Sequence, residues 1–160
     1  MRHPFIYGTL TALFLLSWEI YLTETGAYDL EPQPVGTVLQ IIYYALFLGL
    51  LGIGLWKMKQ EHQNQLPLKE GFLTGLNMSV MAALVSALAF WFYLSDFNPE
   101  YLETLAQANN EAAKEQGQEL NVTPGQVALT RSIWQFLSVT FTGLLLSLPV
   151  AFILRSSETK

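Results

Sequence analysis

The chain has 160 residues, of which 51% are hydrophobic and only 13% charged, with a formal net charge of −5 and no cysteine. Soluble domains of this size carry roughly twice that charged fraction, so the composition excludes a soluble enzyme domain, a nucleic-acid binder and a disordered chain. The absence of cysteine removes a disulfide framework, a thiolate nucleophile and a sulfur-ligated metal site.

The charges are also unevenly placed. No Asp, Glu, Lys or Arg occurs in residues 4–18, 32–56, 71–95 or 132–154, which together make up more than half of the chain. A hydrocarbon core about 30 Å thick takes about 20 helical residues to cross. A membrane barrel would instead alternate polar and apolar residues in segments of about ten. The fold class expected is therefore all-α, an integral membrane four-helix bundle forming one domain over residues 1–160.

The first span is expected over residues 5–22. Met1-Arg2-His3 followed by an apolar stretch has the look of a signal peptide. However, Ser17-Trp18-Glu19-Ile20-Tyr21 is bulky where a signal peptidase requires small residues. The segment is read as a retained membrane helix. The second span, residues 35–56, is entered through Pro32-Gln33-Pro34, which no helix interior tolerates. The third covers residues 71–94 and the fourth 132–154, with Pro149 expected to kink or weaken its last turns.

Residues 95–131 form a structured extracytoplasmic loop. Asn98-Pro99 reads as an N-cap followed by proline at the first helical position, and Gly117 as a stop. An extra amphipathic helix is expected over residues 99–116, with Tyr101, Leu105, Ala108 and Ala112 on its apolar face. Thr123-Pro124-Gly125 repeats the cap-then-proline signal, so the fourth helix is expected to begin near Pro124.

The basic residues set the orientation. Segments 1–4, 57–70 and 155–160 hold Arg2, Lys57, Lys59, Lys69, Arg155 and Lys160, whereas segments 23–34 and 95–131 hold only Lys114 and Arg131. Lys and Arg accumulate on the cytoplasmic side, so both termini are expected there. Nine carboxylates then face outward, among them Glu24, Asp29, Asp96, Glu103 and Glu115. Trp18, Tyr21, Trp91, Tyr93 and Trp134 fall near the outer interface, and Trp56 near the inner one, as aromatic belts do.

Several segments resemble one known family. Leu68-Lys69-Glu70-Gly71-Phe72-Leu73-Thr74-Gly75 opens a helix that ends in Phe97-Asn98-Pro99-Glu100-Tyr101. Thr123-Pro124-Gly125 and a last span closing in Ala151-Phe152-Ile153-Leu154-Arg155 follow. Together with the Tyr7-Gly8 start, these resemble the bacterial membrane-protein family known as domain of unknown function forty-one ninety-nine. The resemblance implies a four-helix inner-membrane protein and carries over no catalytic residues.

Two groups of residues are candidates for a functional or structural role. Gly71, Gly75, Ser79, Ala83 and Ala87 recur every four residues along the third span, and Gly143, Ser147 and Ala151 give the fourth a similar strip. Small residues let helix backbones approach closely in lipid, which fits packing within one bundle or a homodimer seam. Glu19 is the one ionisable residue inside a span, and Gln40 and Gln135 are expected at similar outer-leaflet depth, with Tyr43 a turn deeper. An intramembrane acid marks a functional site by default, and the position fits structural satisfaction of the carboxyl, exposure at the interface, or a ligand or proton site. Asn77, toward the inner end of the third span, is expected to hydrogen-bond between helices. His3 and His62 stand in separate segments without neighbouring ligands at metal spacing.

The function expected is a non-enzymatic membrane scaffold or accessory subunit without cofactors. A small transporter or channel component acting as an oligomer is the alternative. The partners expected are the lipid bilayer and either further copies of the chain or another membrane protein, with nucleic acid excluded.

Overall fold

The structure, a computed structural model, describes residues 2–26, 34–118 and 120–156. The side chains of residues 2–4, 34–37 and 40 lie outside that description, which removes His3 and the Gln40 amide from it. The described residues form α1 (Arg2–Glu24), α2 (Pro34–Glu61), α3 (Leu68–Phe92), α4 (Pro99–Glu115) and α5 (Pro124–Leu154), with no strand among them. Of these, α1, α2, α3 and α5 are long and apolar enough to cross a membrane. They are the four helices anticipated from the charge-free runs, and α4 is the anticipated helix of the long loop.

Each spanning helix overruns its charge-free run, because a helix stops where a cap or a proline stops it, not where hydrocarbon ends. At the start of α5 the Thr123 N–H donates to Gln126 Oε1 (2.9 Å), and the Gln126 N–H donates to Thr123 Oγ1 (3.4 Å). This reciprocal pair satisfies two otherwise orphaned donors, and it starts the helix two turns before Ser132. The stop of α4 is equally explicit. Gly117 takes φ +73°, the Gly117 N–H donates to the Lys114 carbonyl and the Gln118 N–H to the Ala113 carbonyl, each at 2.9 Å. That is the glycine-terminated Schellman arrangement.

Two local expectations need correction. Asn98 makes no capping bond; its Nδ2 donates weakly to Tyr93 Oη (3.4 Å), while a π-helical turn, Tyr93–Phe97, carries α3 directly to the start of α4. The face that α4 buries is Leu102, Ala106 and Ala113, with Tyr101 and Leu105 half-buried at its edge. Ala108 and Ala112 are exposed. Alanine contributes so little apolar area that the periodicity could not fix the rotation of this helix. As anticipated, α5 reaches Leu154 with Pro149 inside its last turns. Proline there withholds one backbone donor, and the neighbouring turns still form.

α3 is the central helix, packed most extensively on α5 and next on α1, while α2 lies more lightly across the other three. Two apolar clusters result. One joins Ala12 and Leu15 of α1, Tyr43, Phe47 and Leu51 of α2, Met78, Ala82 and Ala83 of α3, and Val139 of α5. The other docks α4 through Leu102 and Ala106 onto Phe90 and Leu94 of the third span and Val127 and Ala128 of α5. α4 is held further by the Asn110 side chain, whose Oδ1 accepts from the Val122 N–H (2.8 Å) and whose Nδ2 donates to the Val122 carbonyl (3.1 Å). At the opposite end, Ser156 ties the end of α5 to the α2–α3 turn. Its Oγ donates to the Asn64 carbonyl (2.6 Å) and accepts from the Leu66 N–H (2.9 Å).

Candidate functional site

The small-residue strip sits between α3 and α5. A Cβ built on Gly71 would stand 3.1 Å from Ala151 Cβ, one on Gly75 would stand 2.9 Å from Ser147 Cβ, and one on Gly143 would overlap the Ser79 side chain. Each step of four residues up α3 is therefore matched by four residues back along α5. Continuing that antiparallel register sets Ala83 beside Val139, which share one cluster, and Ala87 level with Gln135. All eight residues of the strip are buried. The serines add no unsatisfied polarity, since Ser79 Oγ donates to the Gly75 carbonyl (2.8 Å) and Ser147 Oγ to the Gly143 carbonyl (2.5 Å). This face is consumed inside the bundle and has no surface left for a second copy.

α1 approaches α3 by the same means. A Cβ on Gly8 would lie 2.9 Å from Met81 Cβ and 3.0 Å from the Met78 carbonyl oxygen. Gly54 of α2 faces the Met78 side chain and lies beside Tyr7. The partners in these two contacts were not legible in the sequence, because a glycine does not name the helix it meets.

Toward the end of the bundle that carries α4 the interior turns polar. Glu19 and Thr23 of α1, Tyr43 of α2, and Ser132 and Gln135 of α5 are all buried. The Trp18 ring lies 6.4 Å from the Tyr43 ring, centroid to centroid, and Glu19 is within electrostatic range of the Tyr43 hydroxyl. Thr23 Oγ1 turns back to donate to the Glu19 main-chain carbonyl (2.9 Å). The sequence placed Glu19 and Gln135 at one depth with Tyr43 a turn deeper, and the structure buries all three toward the end of the bundle that carries α4. Gln40 is the fourth member, and its side chain lies outside the described residues.

Ser132 joins this layer without having been anticipated. Its Oγ and the Gln135 Nε2 are buried without a hydrogen-bond partner among the described residues. The signal in the sequence was the spacing of Ser132 and Gln135, one turn apart on one face of an otherwise apolar helix. Buried donors of this kind ordinarily meet an acceptor, water included. Below the layer the large buried side chains are apolar: Leu15, Phe47, Leu51 and Val139 are fully buried and Met78 is 1% exposed. Above it, the Tyr93 hydroxyl donates to the Glu24 carboxylate and ties α1 to the end of the third span. Among the described residues no three His, Asp or Glu side chains converge where a metal ion could be held.

No curated protein and no solved structure matches this chain. A family model described as a protein of unknown function (DUF4199) matches residues 6–156, from the first turns of α1 to the Ser156 tie. That match takes in all four spanning helices and α4, and the chain belongs to this family.

Proposed function

We propose that this chain is a non-enzymatic integral protein of the bacterial inner membrane that serves as a scaffold or accessory subunit, with both termini cytoplasmic. The observation that supports this reading is the filled interior. At mid-depth, side chains of all four spanning helices meet in one cluster, and the buried hydroxyls nearest it, Thr11 and Ser79, are spent on main-chain carbonyls of their own helices. Transport sites sit near the midplane among broken helices and polar groups, and this bundle fills that level with Leu15, Phe47, Met78 and Val139. Purification in mild detergent followed by identification of co-purifying membrane proteins tests the role. A chain that acts alone as a catalyst or carrier contradicts it.

The orientation has its own test, which the cysteine-free sequence makes clean. Gln60 and Gln107 are both exposed, one just outside each end of the bundle. With Gln107→Cys, a membrane-impermeant maleimide is expected to label the protein on intact cells. With Gln60→Cys, labelling is expected only after the membrane is opened. The reverse pattern overturns the orientation and moves α4 to the cytoplasmic side.

A second reading, a small transporter or channel component, draws on buried Glu19 and on the donors of Ser132 and Gln135, which are buried without a partner among the described residues. In reconstituted vesicles carrying a proton-sensitive dye, no flux is expected from the wild type or from Glu19→Gln. A proton flux in the wild type that Glu19→Gln abolishes replaces the scaffold reading with this one.

A further inference from the structure

We infer that the outer ridge of α3 is the contact surface for a second copy of this chain, with Asn77 of each copy paired across a parallel two-fold interface. The inference rests on the membrane-spanning reading and its single orientation, not on the scaffold role.

The first observation is the position of Asn77. It is exposed on α3, and its amide makes no hydrogen bond to any described residue. Lys69 and Trp56 mark the inner interface, and Asn77 lies eight residues beyond Lys69, which is about 12 Å at 1.5 Å per residue. An asparagine side chain is too short to reach the headgroups from that depth. An amide facing hydrocarbon without a partner is costly, and interhelical pairing of such groups is how membrane helices recover that cost.

The second observation is the ridge around it. Leu73, Val80, Leu84, Leu88 and Trp91 are all exposed on α3. With Asn77 they are spaced by four, three, four, four and three residues, a seam that follows one face of a helix and suits side-by-side packing. The small-residue face of α3 is spent on α5 and the Met78 and Met81 positions meet α1. This ridge is the face that remains between them.

The third step identifies the occupant. Copies of one membrane protein insert with the same orientation, so a two-fold axis between them runs along the membrane normal. Such an axis brings each residue near the axis to the same depth as its own counterpart. Asn77 would therefore meet Asn77, and a carboxamide is both donor and acceptor, so the pair satisfies itself. A buried asparagine in a heptad-like seam also fixes register and the number of helices that associate.

Dilution of fluorescently labelled protein in vesicles of phosphatidylethanolamine and phosphatidylglycerol measures the association. The wild type is expected to form dimers. Asn77→Leu is expected to weaken them by about tenfold or more, and Asn77→Gln, which keeps the amide, to retain them. Asn77→Leu removes no bond within the chain, so its thermal stability as a monomer should not fall, and this reports independently on folding. In the cysteine-free background, Val80→Cys and Leu84→Cys are expected to cross-link between copies under mild oxidation, and Phe141→Cys on the exposed face of α5 is not. A monomeric wild type, dimers indifferent to Asn77→Leu, or cross-linking through α5 instead of α3 each overturn the inference. A monomeric chain that captures a different membrane protein overturns it too, while leaving the scaffold reading in place.

Discussion

Gly143→Leu is expected to prevent the bundle from closing, with a loss of about 3 kcal/mol or more from overpacking alone. A single Cβ at this position already overlaps the Ser79 side chain, and the obstruction lies next to backbone, where a rotamer change cannot relieve it. Gly75→Leu should behave alike, because its Cβ would stand 2.7 Å from Ser147 Oγ. Ala83→Leu, a fully buried position on the same strip, belongs with them. The contrast lies in α2, where a Cβ on Gly49 meets nothing within 4 Å. Gly49→Ala should therefore stabilise, by about 0.5–1 kcal/mol, through reduced freedom of the unfolded helix. Leu84→Ala, on an exposed site, should leave the monomer fold nearly unchanged. Thermal unfolding in detergent reads all five, and equal tolerance throughout would mean that α3 and α5 do not meet as described.

Leu102→Asp is expected to release α4 from the bundle while the four spanning helices stay folded. Leu102 is 3% exposed and packs with Phe90, Leu94, Val127 and Ala128. Losing that burial costs about 2–3 kcal/mol, and a carboxylate forced into the cluster adds a desolvation penalty. Because α4 lies outside the hydrocarbon, water competes for it at once. Backbone exchange across residues 99–115 should accelerate about 100-fold or more, with exchange in α3 below Ala87 unaltered. If α4 stays protected, its attachment rests on the Asn110 clamp to Val122 instead of the apolar face.

Much of this architecture was legible in the amino-acid order. Hydrocarbon cannot satisfy backbone polar groups, so a long run without charges is compelled to be helical before any tertiary contact forms. The four spans needed no partner to be recognised. The same holds for the Thr123 cap and the Gly117 stop, whose chemistry is complete within six residues. A repeat of small residues every four positions likewise marked α3 and α5 as faces of close approach.

The order of residues did not determine which face meets which. The strip on α3 fitted a neighbour in the same bundle foremost, and a second molecule besides. Only the antiparallel register of Gly71 with Ala151, Gly75 with Ser147 and Ser79 with Gly143 assigns it to α5. That assignment leaves the Leu73–Trp91 ridge, with Asn77 on it, facing outward. The rotation of α4 was undetermined for a related reason, since alanines on two faces weigh almost nothing until Phe90 and Leu94 choose between them. Ser132 entered the polar layer only when helix packing closed over it. Hydrophobicity and local capping are properties of short segments, readable one helix at a time. Register, rotation and the burial of a hydroxyl are properties of pairs of helices, and only the assembled bundle decides them.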